Sequence, residues 1–285
     1  MHVPRVQGEQ GLTYSMPVVE ETTETSTEVV YCDVLAQRVV LQVSPHLFRP
    51  TLTTTILTEQ LDAASVRDRT VLDLGCGVGP IAIGLAMSGS AHVHATDLMP
   101  EACELAMANA ALNGVYDRIT FMRGNLFEPL GDMQFDVIVD DVSAVTEDVA
   151  RLSRWFPRGV PSGGEDGTVN TIEMLLASRR HLKPNGFLLF PILSLSRQAR
   201  ILEVAREVYG ERLIRVASRR IPFSADLKNN LAKLVDLRSQ GLIEFWHARN
   251  RPYWVLEIYK AYADGAHRPP VDHSEAGHAH TSIYE

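Results

Sequence analysis

A glycine-rich segment follows an apolar run in the middle of the chain and could hold a ligand against the backbone. It reads Asp73-Leu-Gly-Cys-Gly-Val-Gly-Pro80. Gly75 and Gly77 can adopt conformations that a Cβ would penalise, and their lack of side chains lets a ligand approach backbone amides. Asp73 adds a carboxylate at the strand end. The chemistry predicted is binding of an amino-acid or ribose group at the carboxyl edge of a parallel sheet.

The spacing of the glycines separates two classes of cofactor. The dinucleotide-binding pattern needs its third glycine at position 80, where this chain has Pro80. The third glycine is instead Gly79, and Asp73 lies two residues before the first. This pattern suits a cofactor without a pyrophosphate, so it indicates S-adenosylmethionine (SAM) rather than NAD.

An acidic residue ends the second apolar strand. Asp97 lies where an acid can accept hydrogen bonds from both ribose hydroxyls of such a cofactor. The alternative is an acid at a helix N-terminus, because Pro100-Glu101 begins a helix whose dipole favours a negative charge. Its position directly after an apolar strand favours the ribose role.

Two adjacent aspartates and a serine follow the fourth apolar strand and could take part in methyl transfer. This reaction is an in-line displacement, so an enzyme mainly has to align and desolvate the nucleophile. An amine acceptor must also lose one proton, which a nearby carboxylate can receive. We predict this role for Asp141, with Asp140 or Ser143 as substitutes. The alternative is that the two aspartates cap a helix expected at 145–155.

Two further pairs of side chains are candidates for contact with the acceptor. Trp155 and Phe156 could form an apolar wall, although aromatic residues more often belong to a core. Glu165 and Asp166 lie in a glycine-rich loop that could close over the pocket, with a solvated turn as the equal alternative.

The elements that must position these residues follow from the apolar periodicity. From Thr70 onward short apolar runs alternate with segments of helical period, which predicts an α/β fold with a mostly parallel sheet covered on both faces. The predicted strands are 71–74, 92–96, 119–123, 135–140, 187–192, 213–221 and 253–259. The predicted helices are 81–87, 101–112, 171–182 and 197–209. A hairpin is predicted at 29–43, and a leucine-rich insertion at 222–252 predicts a helix that could cap the substrate.

The net charge, the cysteine spacing and the length of the apolar runs limit which partners the chain can have. A net charge of -8 disfavours binding to nucleic-acid backbones. The three cysteines show no metal or disulfide spacing, and no apolar run approaches the roughly 20 residues that cross a bilayer. We therefore expect a cytoplasmic protein with no membrane contact and no metal site, although histidines near the C-terminus leave a metal there as a minority alternative.

Four segments together resemble class I SAM-dependent methyltransferases, and in particular the HemK/PrmC-like branch, which includes protein glutamine N5-methyltransferases. They are Val71–Gly79, Thr96–Ala102, Ala108–Gly114 and Gly124–Leu130. Pro50-x-x-Thr53-Thr54-x-x-Leu57 and Gly163-Gly-Glu-Asp-Gly167 are similar to two further segments of that branch. The resemblance covers about residues 45–195.

The resemblance implies a Rossmann-like, seven-stranded sheet with the final strand inserted antiparallel. It also implies a set of cofactor-binding residues, shared between the methionine, ribose and adenine parts of SAM. They are Asp73, Gly75, Gly77, Gly79, Asp97, Leu98, Asn125, Leu126, Asp141 and Thr54.

The chain departs from the branch at the substrate motif. Asp141-Val-Ser-Ala144 stands where relatives have Asn-Pro-Pro-Tyr, which grips a planar amide or base. Glutamine or base methylation therefore does not carry over. We accordingly expect methyl transfer to N or O of a small molecule, yielding S-adenosylhomocysteine. The alternatives are a protein or ribosomal RNA acceptor, or a SAM-binding protein without catalysis. A homodimer is left open.

The domain organisation expected from these features has four parts. Residues 1–27 are polar and predicted to form a flexible arm. Residues 28–69 form a lid of hairpin and helix, and 70–262 form the methyltransferase domain. Residues 263–285, rich in histidine, are predicted to be a disordered tail.

Overall fold

The computed structural model describes residues 28–265, and the predicted arm and most of the predicted tail lie outside this range. The strands of the described part are β1 (Glu28–Val34), β2 (Gln37–Val43), β3 (Thr70–Leu74), β4 (His92–Asp97), β5 (Ile119–Arg123), β6 (Phe135–Asp140), β7 (Leu182–Leu193), β8 (Leu213–Pro222), β9 (Trp246–Ala248) and β10 (Arg251–Tyr262). The helices are α1 (Leu52–Thr58), α2 (Ala63–Val66), α3 (Pro80–Met87), α4 (Pro100–Leu112), α5 (Glu147–Leu152), α6 (Val169–Ser178), α7 (Gln198–Tyr209), α8 (Ala225–Asn229) and α9 (Leu231–Ser239).

The central sheet has the strand order β5-β4-β3-β6-β7-β10-β8. Strands β3 to β7 pair in parallel, whereas β10 is inserted antiparallel between β7 and β8. The predicted Rossmann-like sheet and its N-terminal β-hairpin are therefore confirmed. The sequence missed β9, which adds a short antiparallel pairing to β10. The polar ends of β3, β4 and β6 meet at one edge of the sheet, where ligands bind in folds of this type.

Two apolar layers cover the sheet, one on each face. One contains the hairpin, α1, α3, α4, α8 and α9, and the other contains α6 and α7. The predicted insertion forms two short helices, with Leu227, Leu234 and Leu237 buried in the first layer. The buried leucines of the insertion thus belong to the core, and the beginning of the insertion lines a cavity.

Two asparagines, one in α4 and one directly after its end, hold the hairpin in place. Asn109 Oδ1 accepts the backbone N–H of Gln42 at 2.8 Å, and its Nδ2 donates to the carbonyls of Gln42 and Val78 at 3.0 and 2.9 Å. Asn113 makes the same pair of bonds to the backbone of Val40, at 3.0 and 2.7 Å. The open edge of β2 is therefore satisfied by side chains instead of by another strand.

Replacing Asn109 by alanine is expected to lower the free energy of unfolding by about 2–4 kcal/mol, because buried backbone groups of β2 lose their partners. Chemical denaturation measures the change. Leu112→Ala, at an exposed position of the same helix, is the matched control and should change stability by less than about 0.5 kcal/mol. Equal effects of the two substitutions would contradict a specific role for Asn109.

Candidate functional site

The glycine loop turns sharply between β3 and α3. Gly75 N and Cys76 N both donate to Thr96 O, at 2.9 and 3.0 Å, and Gly77 N donates to Asp97 Oδ2 at 2.8 Å. Gly75 has a φ of +70°, and a Cβ there would lie 2.6 Å from Val142 Cγ1. Gly77 has a φ of +52° with open space where its Cβ would stand. The loop is therefore fastened to the end of β4 while one side of its backbone stays accessible.

A cavity of about 180 Å³ lies at this edge of the sheet, between the glycine loop, the end of β6 and the loop before α1. Its wall contains eleven of the predicted site residues: Thr54, Gly75, Gly77, Asp97, Leu98, Asn125, Leu126, Asp141, Ser143, Trp155 and Phe156. Trp155 is 40% exposed beside it. The fold thus brings predicted cofactor and catalytic residues from five separate segments to one place.

Five predicted site residues do not line the cavity. Asp73 is fully buried behind the loop, where its Oδ2 accepts the backbone N–H of Ala82 at 2.9 Å. Gly79 turns the chain into α3, and Asp140 is buried under Asp141. Glu165 is exposed, and Asp166 accepts hydrogen bonds from Thr168 within its own turn. For the last two, the structure favours the solvated turn, and their role in substrate binding stays a prediction.

The sequence missed several residues of the site. Phe48 and Arg49 reach the cavity from the loop after β2, and Phe48 packs edge-on against Phe156 at a centroid distance of 4.9 Å. Asn170 of α6 donates to Ser143 O at 2.9 Å and so holds the segment after β6. The loop after β2 has no periodic pattern to reveal its position. Asn170 follows the Gly163–Gly167 loop, and that glycine-rich loop is the sequence feature that could have indicated its place near the site.

Asp141 is held by a side chain from another element. Thr54 Oγ1 donates to Asp141 Oδ2 at 2.7 Å. Thr54 is itself fixed in α1, where its backbone N–H donates to the hydroxyl of Thr51. The helix-capping alternative for Asp140 and Asp141 is wrong, because Thr146 caps α5 by accepting from Val149 N. The Asp141 carboxylate is consequently available to the cavity.

Burial and mutual repulsion raise the pKa values of the carboxylates at this edge. Desolvation raises the pKa of Asp141 to about 7, although the Thr54 hydrogen bond opposes the shift. Burial and the charge of Asp141 raise the pKa values of both Asp73 and Asp140 well above their ordinary range. Burial also raises the pKa of Asp97, against the opposing effect of three backbone N–H groups. A cation in the cavity would relieve this repulsion, because an opposite charge favours the ionised form of a carboxylate.

The residues present fit SAM. The open backbone at Gly77, the Asp97 carboxylate and the acidic end of β6 meet the needs of its amino acid, ribose and sulfonium parts. Thr96 Oγ1 and Ser143 Oγ are buried without a hydrogen-bond partner, and both residues line the cavity. Polar atoms in that situation are suited to binding a ligand.

Comparison with known proteins agrees with this site. Residues 50–141 match the family model of the methyltransferase small domain. A release factor glutamine methyltransferase of Geobacter sulfurreducens is 34% identical over 153 residues, 52% of this chain and 53% of that protein. A ribosomal protein L11 methyltransferase of Anoxybacillus flavithermus is 33% identical over 145 residues, 48% of this chain and 46% of that one. The chain thus spans about half the length of the curated relatives it matches.

Solved structures show the same fold at low identity. The 16S rRNA N2 G1207 methyltransferase of T. thermophilus superposes with a TM-score of 0.50 and 17% identity, covering 83% of this chain and 50% of that one. The M. jannaschii tRNA m1G37 methyltransferase gives a TM-score of 0.50 at 11% identity, covering 83% and 57%. At these identities the likeness shows the fold alone, which is the Rossmann-like class that the two methyltransferases share.

Within that class, the resemblance to the HemK/PrmC-like branch is confirmed by the release factor methyltransferases that align with this chain. The predicted cofactor, SAM, is confirmed by the same family match.

The predicted partners, a small-molecule acceptor with nucleic acid disfavoured, are wrong. The relatives are named for a release factor and for ribosomal proteins, and a structural neighbour is named for 16S rRNA. The prediction depended on the loss of Asn-Pro-Pro-Tyr and on the acidic net charge. Loss of a platform for a planar group changes which atom is gripped, but it carries no information on the size of the acceptor.

Two other kinds of site are absent from residues 28–265. No helix in this range is long and apolar enough to cross a membrane. No group of three or more histidine, cysteine, aspartate or glutamate side chains in the same range is arranged to hold a metal ion. The histidines of the predicted tail that could bind a metal lie outside the described residues.

Proposed function

We propose that the chain is a SAM-dependent methyltransferase whose acceptor is an amine nitrogen of a protein. The observation that carries the proposal is the Asp141 carboxylate, which lies at the cavity wall under the Thr54 hydroxyl with a pKa of about 7. The names of the aligned relatives support a protein acceptor. An amine fits better than an amide, because the residues that grip a planar amide in the branch are replaced here by Asp141–Ala144.

When bound, SAM supplies a methyl group already activated by its sulfonium. Asp97 and the loop backbone at Gly77 position the cofactor from one side, and Asp141 faces the acceptor from the other. Asp141 accepts a hydrogen bond from the acceptor amine, orients its lone pair and takes the proton that the amine releases. Phe156 and Trp155 exclude water from this end of the cavity. Thr54 is a positioning residue, because it acts on the acceptor only through Asp141.

The test uses tritiated SAM and synthetic peptides that present a lysine, an N-terminal amine or a glutamine. Calorimetry first establishes SAM binding, and mass spectrometry then locates the methyl group. We expect methylation on the amines. Methylation of the glutamine peptides alone would contradict the amine assignment, and SAM binding with no methylated peptide would contradict the proposed function.

The pH dependence of turnover follows from the raised pKa of Asp141. The carboxylate must be ionised to take a proton, so kcat should be high above the pKa of about 7 and fall as the pH drops through it. We expect log kcat to fall with a slope of about one per pH unit at saturating SAM and peptide. In Asp141→Asn the inflection should be absent from the residual activity. An inflection that persists in this variant would assign the titration to the acceptor amine.

A further inference from the structure

A second and larger cavity, of about 790 Å³, opens beside the cofactor cavity. The loop before α1 and the segment after α5 separate the two cavities. Leu47, Arg49, Thr51, Thr53, Trp155 and Leu193 line both of them. Thr53 directly precedes Thr54, the partner of Asp141. A polypeptide bound in the larger cavity would therefore lie beside the residues that position Asp141.

The larger cavity is lined both by strands of the central sheet and by additions to that sheet. Glu28 and Val43 belong to the hairpin, and Ser224 and Leu227 belong to the beginning of the insertion. Trp254, from β10, closes the side between them. The N-terminal and C-terminal additions of the chain thus meet around one space next to the site of methyl transfer.

The chemistry of the lining indicates an apolar polypeptide rather than a nucleic acid. Leucine, proline and tryptophan side chains form most of the wall. Each of its two cations already has a carboxylate partner: Arg49 pairs with Glu28, and Arg154 Nε lies 3.4 Å from Asp226 Oδ1. A phosphate backbone would require cations that are free to bind it. Tryptophan faces and prolines match uncharged side chains, whose burial stabilises protein complexes.

We propose that the larger cavity binds the apolar residues that flank the methylated amine in the acceptor polypeptide. This inference rests on the proposed function, since it names where the protein acceptor is recognised. The cavity volume of about 790 Å³ lies in the range of roughly 300–1,000 Å³ that is usual for ligand clefts, which is room for a few side chains. Specificity then comes from the residues beside the amine, while Asp141 acts on the amine itself.

The experiment measures peptide methylation with tritiated SAM for wild type and two variants at Leu52, which is 54% exposed and lines the larger cavity only. Leu52→Arg places a charge in the apolar space, and Leu52→Trp fills it without a charge. The substrates are ten-residue lysine peptides with either apolar or charged flanking residues. Leu176→Arg, on exposed α6 surface outside both cavities, is the matched control.

The expected result is a preference of the wild type for apolar flanks and an increase in peptide KM of about tenfold or more in both Leu52 variants. Their kcat and SAM affinity should stay close to the wild type, as should all constants of Leu176→Arg. If both Leu52 variants methylate the peptides with the wild-type peptide KM, the inference is overturned and the proposed function stays intact. SAM binding without methylation of any peptide, or methylation of an RNA oligonucleotide instead, would overturn both.

Discussion

Asp141→Asn is expected to lower kcat by about 10²–10³-fold, the range that loss of a general base usually gives. Asparagine keeps the shape of the side chain, and its amide oxygen can still accept the Thr54 hydroxyl that now lies 2.7 Å away. It cannot take a proton, so an amine at the cavity wall keeps its orientation but loses its base. Steady-state rates with tritiated SAM and an acceptor peptide that the wild type methylates measure the effect.

The control for this substitution is Asp117→Asn, which removes one negative charge from an exposed position away from the cavity. Its kcat should equal that of the wild type. Calorimetric SAM affinity of Asp141→Asn should change by much less than its kcat, since a carboxylate that acts mainly in proton transfer contributes little to ground-state binding. A variant with wild-type kcat would contradict the assignment of Asp141 as the base.

The same substitution should stabilise the protein at neutral pH. A carboxylate whose pKa is raised from 3.8 to about 7 in the folded state binds protons more tightly when folded, so stability decreases as the pH rises between these values. The full shift corresponds to about 4 kcal/mol, and we expect about 1–2 kcal/mol because the cavity admits solvent. Asp141→Asn should therefore have a higher Tm above pH 7 and a similar Tm near pH 4.

The inner strands of the central sheet could be predicted from the sequence because they are buried on both faces. Such strands form short apolar runs between turn residues, and the prediction for 135–140 coincides with β6. Their polar ends then follow without further information, since the carboxyl ends of parallel strands share one edge. The grouping of Asp97 with Gly75–Gly79 depends on nothing else.

Local sequence rules predicted the bounds of elements less well where a capping side chain ends a helix. They also could not predict contacts between residues far apart in the chain. The helix expected at 145–155 is shortened to Glu147–Leu152, because Thr146 caps its beginning and Ser153 ends it. The residues between the predicted helix 171–182 and the predicted strand 187–192 lie within β7, where Asn185 takes a φ of +66°. The contact of Thr54 with Asp141 joins residues 87 positions apart. No local sequence pattern relates residues so far apart, so the contact between α1 and Asp141 becomes visible only in the folded structure.

Asp97 has two functions in the structure, and both bear on cofactor binding. Its Oδ2 accepts the backbone N–H of Gly77, which shapes the glycine loop, and its Oδ1 accepts the N–H of Met99 at 2.9 Å. Each carboxylate oxygen has a second lone pair, so the same group can also accept two ribose hydroxyls. Removing it therefore weakens the cofactor site directly and through the loop.

Asp97→Ala is expected to raise the Kd for SAM by about 10²-fold or more, because a hydrogen bond to a charged acceptor contributes about 1.5–3 kcal/mol and two are lost. S-adenosylhomocysteine has the same ribose, so its affinity should fall by a similar factor. Asp141→Asn, by contrast, should weaken SAM more than S-adenosylhomocysteine, whose sulfur is uncharged, because the proposed site would place the sulfonium near Asp141. Calorimetric titration of both ligands measures the four constants, with Asp117→Ala as the exposed control. Unchanged affinity for both ligands in Asp97→Ala would show that Asp97 does not bind the ribose. The inferred position of the cofactor, on which the acceptor geometry depends, would then be wrong.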